Sequence, residues 1–228
     1  MGEEATFVPI RDIASVGNGV HVHFSFVDDD GNPATYDEKG PFGMSGLTGA
    51  FAAGVLKYME NIVALTAPSV ISYERLTPHR WSAAYNNLGF RDREASLRIC
   101  PVTAKDPAAI ARQYNLEYRA ADAAACPHLA MAAIIHAGVQ GIEEGLAPPT
   151  PTQEDLSLLP HDELAARGYV RLPTSLEAAL DRFDGSETAT GWFPADFAHV
   201  YRAHKLAEIA HLEGMDVSQK CAAYQDTY

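Results

Sequence analysis

The sequence predicts an α+β fold, and three observations carry that expectation. A strand with a two-residue period runs through Asn18-Gly19-Val20-His21-Val22-His23-Phe24-Ser25-Phe26. Two apolar stripes at helical spacing cover residues 45–65 and 127–145. The other strand-like segments are short and sit between turn signals, as in hairpins, rather than alternating with helices as a parallel α/β fold requires.

Composition bounds the function. The chain has 228 residues, 47% of them hydrophobic, enough for a proper core in one large domain or a domain plus an appendage. A net charge of -13 argues against nucleic acid and anionic membranes as partners. The sequence has neither a long uninterrupted apolar run nor a charged-then-apolar start, so neither a membrane span nor a signal peptide is expected. Cys100, Cys126 and Cys221 are odd in number and far apart. That argues against a disulfide framework or a cysteine zinc site, fits a reducing cytoplasm, and makes each cysteine an expected apolar filler.

Taken in order, Ala5 to Pro9 reads as a strand, followed by the central one. The period of the latter puts Val20, Val22, Phe24 and Phe26 on one face and His21, His23 and Ser25 on the other. Two imidazoles on one strand face can grip a metal, a phosphate or a nucleobase. They can equally be the wet side of a half-exposed strand. Gly17 and Gly19 favour function, because they let backbone approach a ligand closely. Asp28-Asp29-Asp30-Gly31-Asn32-Pro33 is a turn, returning through a strand at Ala34 to Tyr36; it lacks the later glutamate of an EF-hand calcium loop.

Leu47, Phe51, Val55, Tyr58, Met59, Ile62 and Val63 place a core helix over Ser45 to Leu65, stopped by Ala67-Pro68. An arginine-rich region follows, with Arg75, Arg80, Arg91, Arg93 and Arg98 among Gly and Pro turns. Arginine forks suit carboxylate and phosphate, though salt bridges to Glu74, Asp92 and Glu94 would explain the cluster too. Asp106 to Tyr114 is a short helix opened by Pro107, and Asn115 to Ala121 a strand on which Glu117 and Arg119 share a face. Pro127 opens a long helix to Gly145, apolar nearly all round in its first half and so expected to be buried there, with His128 and His136 as packed or capping residues. Pro148, Pro149 and Pro151 stiffen a connector. Beyond it come a helix from a Thr174–Glu177 capping box to Phe183, another from Pro194 to Leu212 capped by Gly214, and a last one over Val217 to Tyr224.

Several of these stretches resemble, in order, the C-terminal catalytic part of glutamine synthetases. Gly17-Asn18-Gly19-Val20-His21-Val22-His23-Phe24-Ser25 is similar to the family's glycine-rich HxHxS strand. Ser72-Tyr73-Glu74-Arg75-Leu76-Thr77-Pro78 resembles its NSYKRLVP segment, and Arg93-Glu94-Ala95-Ser96-Leu97-Arg98-Ile99 its RxxxxRIP strand. Glu117 to Asp122 and Cys126 to Leu129 resemble its ExRxxD and NPYL signatures. The resemblance covers Ala5 to Gly145; the part after Pro151 shares only helical character.

The resemblance implies a glutamine synthetase/guanido kinase-like catalytic domain with a curved, mostly antiparallel sheet backed by helices. Residues 1–147 would supply the sheet and core helices, and 152–228 a helical C-terminal region. The implied chemistry is ligation of glutamate to ammonia or an amine through γ-glutamyl phosphate, with ATP and Mg2+ or Mn2+. By resemblance His21 and Glu117 are metal ligands, and His23 and Ser25 contact ATP. Gly17, Arg75 and Arg119 bind glutamate, while Arg93 and Arg98 stabilise the transferring phosphoryl group. The family assembles as stacked hexameric rings.

Three departures accompany the match. The family's N-terminal β-grasp domain and its metal-binding glutamates are absent, so the chain is expected to be a fragment, inactive alone. The stretch between Arg98 and Glu117 is longer than usual, so the nucleotide-binding lysine is not placed and Lys105 is no more than a candidate for it. Trp81 stands where the family has the glutamate that closes over the site and takes a proton from ammonium. An indole cannot serve as that base. Within the family, Pro78-His79-Arg80-Trp81-Ser82 resembles γ-glutamylmethylamide synthetases, which makes Trp81 a candidate amine-binding residue on a mobile flap over Thr77 to Ser82. The alternatives are a glutamine synthetase using ammonia, a non-catalytic relative that keeps the fold, and an amidohydrolase, which also carries HxH on a strand. The last needs repeated parallel βα units that the pattern lacks.

Overall fold

The computed structural model describes residue 2, residues 5–225 and residue 227. Four short strands form its sheet: β1 (Val22–Phe24), β2 (Leu88–Phe90), β3 (Leu97–Ile99) and β4 (Leu116–Tyr118), in the order β1-β4-β3-β2. β1 and β3 both run antiparallel to β4, and β2 is parallel to β3, so the sheet is mostly antiparallel as expected. Register places His23, Glu117, Arg98 and Gly89 in one cross-strand row. The rows on either side, Val22–Tyr118–Leu97–Leu88 and Phe24–Leu116–Ile99–Phe90, point to the other face because side chains alternate along a strand. That face is the core: Leu97, Ile99, Leu116 and Tyr118 are completely buried. Glycine is required at Gly89, where a Cβ would come within 2.6 Å of the Ala95 Cβ.

Helices cover the apolar face. α1 (Gly46–Lys57) starts at Ser45, whose side chain accepts the Thr48 amide, and α2 (Met59–Thr66) follows directly. The single helix expected here breaks at Tyr58, whose hydroxyl is held by Glu144 Oε1. α3 (Ser72–Arg75) is one turn, and α4 (Pro107–Gln113) is capped by Asp106. α5 (Pro127–Glu143) crosses α1 so closely that a Cβ on Gly54 would meet the Ala137 carbonyl oxygen at 2.2 Å. Phe51 of α1 reaches the apolar face of the central strand, with ring centroids 5.2 Å from Phe24 and 4.9 Å from Phe26. The C-terminal region adds α6 (His161–Ala166), α7 (Leu176–Asp184), α8 (Glu187–Gly191), α9 (Phe197–His211) and α10 (Val217–Gln225). α7 packs on α2, and α9 on α7. Bridges of Thr152 to Gly89 and Arg171 to Tyr85 join this region to the sheet.

Several expectations need correction. Ala5 to Pro9 forms no strand; Val8 and Ile10 instead fill a second small core with Ile71, Leu212, Cys221 and Tyr224. Ala34 to Tyr36 contributes only one isolated bridge, Tyr36 to Met44, because the Asp28 turn and the Ser45 cap take up the flanking backbone. The central strand is continuous only over β1, with an isolated bridge of Gly19 to Asp122 before it, and Val20 is 40% exposed rather than in the core. The first half of α5 buries Ala130, Ala133, Ile134 and Ala137 but leaves Met131 and Ile135 about half exposed, since only one side of it meets α1 and α2. Ser175, not Thr174, caps α7. His136 packs by stacking on Trp192. No helix among the described residues is long and apolar enough to cross a membrane.

Candidate functional site

Glu117 organises the site. It is 1% exposed, in the middle of β4, with β1 on one side and β3 on the other. His21 Nδ1 donates to its Oε1 at 2.7 Å, and Arg119 Nη1 donates to the same oxygen at 2.8 Å. Arg98 Nη2 pairs with Oε2, and His23 Nε2 lies 3.7 Å from Oε1. Strand geometry explains the convergence. His23 and Arg98 are the direct cross-strand partners of Glu117, while His21 and Arg119 lie one same-face step further along the β1–β4 pair. Burial opposes a charge on Glu117, but the His21 hydrogen bond and the guanidiniums of Arg119 and Arg98 outweigh it and hold the carboxyl at about 2. It is therefore a permanent anion at neutral pH.

This carboxylate forms the floor of an open cavity of about 480 Å³. Gly17, His21, His23, Arg75, Trp81, Arg93, Arg98, Glu117 and Arg119 all line it. Thus every residue assigned by resemblance reaches one concavity except Ser25, which is exposed one step beyond. Lys105 is exposed and outside it.

The four expected arginines differ in what they touch. Arg75 is 2% exposed; Nη1 donates to Ser82 Oγ at 2.9 Å and Nη2 to the carbonyls of Ala120 and Ala121 at 3.1 and 2.9 Å. Arg119 Nη2 donates to the carbonyls of Trp81 and Arg93 at 3.0 and 2.8 Å. Both guanidiniums therefore brace loops around the cavity. Arg93, in contrast, is exposed, and its side chain has no hydrogen-bond partner among the described residues. Gly17 has φ +81, and a Cβ there would come within 2.7 Å of the Pro9 carbonyl and 3.0 Å of Arg75 Cγ, so glycine is needed to seat Arg75.

The rim at Thr77 to Ser82 was expected to be a mobile flap, but it is tied on both sides. Glu94 accepts the amides of His79 and Trp81 at 3.0 and 2.9 Å. Arg80 donates to the carbonyls of Ser15 and Ile13. His79 Nε2 lies 3.2 Å from Ser157 Oγ. The Trp81 indole projects from this braced loop, with the residue 63% exposed.

Sequence reasoning missed four neighbours. Arg80 joins the lining, Glu94 holds the rim, and Asn115 Oδ1 sits 2.9 Å from His23 Nδ1. Cys100, taken as a filler, lies 3.5 Å from Glu117 Oε2 and 3.6 Å from His23 Nδ1. Burial first, then Glu117, pushes its thiol up to about 11. Its place two residues after Arg98 on an alternating segment is the signal that could have found it.

The donor set fits a polyanion. Five guanidiniums (Arg75, Arg80, Arg93, Arg98 and Arg119) surround one carboxylate in a chain of net charge -13. The exposed Arg93 guanidinium has no partner among the described residues, so its donors remain for an anion's oxygens. A divalent ion fits in part: His21 and Glu117 supply an imidazole and a carboxylate at one point, short of the full shell that magnesium takes.

Fold and site define a glutamine synthetase catalytic domain: that family's description matches residues 1–224, and the chain belongs to it. Glutamine synthetase of Mycolicibacterium smegmatis is 34% identical over 207 residues, 90% of this chain and 42% of that protein. Gamma-glutamylpolyamine synthetase GlnA3 of Streptomyces coelicolor is 34% identical over 229 residues, 100% of this chain and 48% of that protein. A solved glutamine synthase homolog superposes with a TM-score of 0.84 at 41% identity, covering 98% of this chain and 48% of its own. A GmaS–ADP complex superposes at 0.71 with 26% identity, covering 92% and 46%. The chain spans less than half the length of these curated relatives.

Proposed function

We propose that the protein carrying this chain joins the γ-carboxylate of glutamate to a small alkylamine such as methylamine, using ATP and passing through γ-glutamyl phosphate. The observation that carries this reading is the cavity in which Glu117 gathers His21, Arg98 and Arg119 beneath an exposed Trp81. Formation of an acyl phosphate involves a loose phosphoryl group whose charge spreads over its oxygens, so positioned cations do most of the work. Arg93 and Arg98 take that role; Arg93 is free to move onto the phosphoryl group because nothing in the described chain holds its guanidinium. Arg119 and Arg75, braced against loop carbonyls, shape the glutamate end of the cavity with Gly17. His21 and Glu117 would hold a magnesium or manganese ion, which when bound neutralises phosphate charge. His23, with Ser25 at the edge, would meet ATP.

Trp81 sets the nitrogen substrate. Its indole gives an alkylammonium an apolar wall or a π face, a contact worth about 1 kcal/mol. A gamma-glutamylpolyamine synthetase stands beside glutamine synthetases among the relatives, so an amine substrate lies within what relatives of this chain are named for. The test is an amine panel on the full gene product with ATP and glutamate, reading phosphate release. Methylamine should exceed ammonia in kcat/KM by about fivefold, the ratio that ~1 kcal/mol gives. Better use of ammonia would overturn the assignment in favour of a glutamine synthetase.

A further inference from the structure

We propose that His23, Cys100 and Glu117 form a binding site for a soft divalent cation of the zinc class, with a ligand set different from the His21–Glu117 pair assigned above. Three elements bring the donors together. His23 on β1 is the register partner of Glu117 on β4, and Cys100 follows directly after β3, which pairs with the other edge of β4. One donor atom from each residue lies within 4.8 Å of the others.

The spacing is that of a coordination shell before the ion enters. Zinc bonds of about 2.3 Å to sulfur and 2.0–2.2 Å to nitrogen or oxygen, at tetrahedral angles, separate neighbouring ligand atoms by roughly 3.3–3.6 Å. Cys100 Sγ is 3.5 Å from Glu117 Oε2 and 3.6 Å from His23 Nδ1, and His23 Nε2 is 3.7 Å from the other carboxylate oxygen, so a turn of the imidazole brings Nε2 and Sγ onto one ion. Asn115 fixes the imidazole tautomer. Its Nδ2 donates to the Gln113 carbonyl at 2.8 Å, so its Oδ1 faces His23 Nδ1 at 2.9 Å and accepts the Nδ1 proton. That leaves Nε2 with the lone pair a metal needs, the arrangement by which outer-shell carbonyls orient ligating histidines. Cys100 and Glu117 are buried while the His23 side chain is 54% exposed, so the site has a dry floor and an open approach. Zinc binding exchanges the thiol proton, released to solvent, for a sulfur–zinc bond; the carboxylate and neutral imidazole coordinate without further proton loss. An ion here would draw Glu117 away from His21 and Arg98, so occupancy by zinc and use of Glu117 for a harder ion exclude each other.

Cobalt(II) reports the site optically and independently of any ligase activity. Titrating the reduced, metal-free chain with Co2+ should give a near-ultraviolet thiolate-to-cobalt band and intense visible bands of a four-coordinate ion, saturating at one equivalent and discharged by Zn2+. Cys100→Ser should abolish the thiolate band; the paired Cys126→Ser and Cys221→Ser variant should keep it. His23→Ala, at an exposed side chain, should weaken zinc binding at least about tenfold. If Cys100→Ser does not fold, Cys100→Ala should lose the thiolate band in its place. Absence of the band in wild type, its survival in Cys100→Ser or Cys100→Ala, its loss from the Cys126/Cys221 variant, or unchanged affinity in His23→Ala would each overturn the site.

Discussion

Glu94 holds Trp81 in a left-handed backbone conformation: its Oε1 accepts the Trp81 amide at 2.9 Å where φ is 52°. Its other oxygen does the same for His79, at 3.0 Å and φ 63°. Neither residue is glycine, so each left-handed turn costs about 1–2 kcal/mol that a charged acceptor must offset. Glu94→Ala should therefore lower stability by about 1–3 kcal/mol in chemical denaturation and expose the Arg80 peptide bond to trypsin. Glu94→Gln, which keeps one acceptor oxygen, should fall between. Unchanged cleavage at Arg80 in Glu94→Ala would show that the contacts of Arg80, Arg119, Arg75 and His79 hold the rim without Glu94.

Arg75 and Arg93 line the same cavity yet should respond oppositely to substitution. Arg75 is buried with three protein acceptors, so Arg75→Lys loses the fork and should destabilise the fold by about 3 kcal/mol. Arg93 is exposed and unpartnered among the described residues; Arg93→Ala should leave stability within about 0.5 kcal/mol. In the full gene product the same change should lower turnover far more than nucleotide affinity, as for a group acting mainly in the transition state. Equal losses in both would remove Arg93 from the phosphoryl-transfer step. Thermal melts and nucleotide titrations of the two variants decide the matter.

The pattern from His21 to Ser25 and from Glu117 to Arg119 made half of this site legible in the sequence, because a two-residue period assigns faces without tertiary information. The register that makes Glu117 the partner of both His23 and Arg98 was not legible, since strand pairing is a long-range choice. Glu94 was hidden for a related reason. It reads as a salt-bridge partner for arginine, but its acceptors are spent on two backbone amides. The kink at Tyr58 and the unpaired run of Ala5 to Pro9 depend on contacts with Glu144 and α10, far away in sequence.

Asp122 should make stability fall with rising pH in mild acid. It is fully enclosed, and burial raises its carboxyl from 3.8 to about 6 against the pull of Arg75. Its Oδ2 has no hydrogen-bond partner among the described residues. The folded state thus keeps the proton to higher pH than the unfolded chain does. This contribution is present below pH 3.8 and lost as pH rises through about 6, a change on the order of 3 kcal/mol. Asp122→Asn should flatten that slope in urea titrations between pH 4 and 7 and match or exceed wild-type stability at the upper end. An unaltered slope would assign it to other groups.

Trp81 offers the sharpest separation between an amine ligase and an ammonia ligase. The indole is exposed on the rim, and the residue's hydrogen bonds, to Glu94 and from Arg119, use only its backbone. Side-chain replacement should therefore spare the loop, with stability changing by no more than about 0.5 kcal/mol. Trp81→Glu introduces an anion where ammonium would gather and removes the π face that an alkylammonium would use. The ratio of kcat/KM for methylamine over ammonia should then drop by at least about fivefold in the full gene product, the ~1 kcal/mol of lost cation–π contact. Trp81→Gln separates the two effects: it removes the aromatic wall without adding charge, so methylamine use should fall while ammonia use stays level. If both variants keep the wild-type ratio, Trp81 only packs beside the cavity, and the nitrogen donor is chosen by other residues.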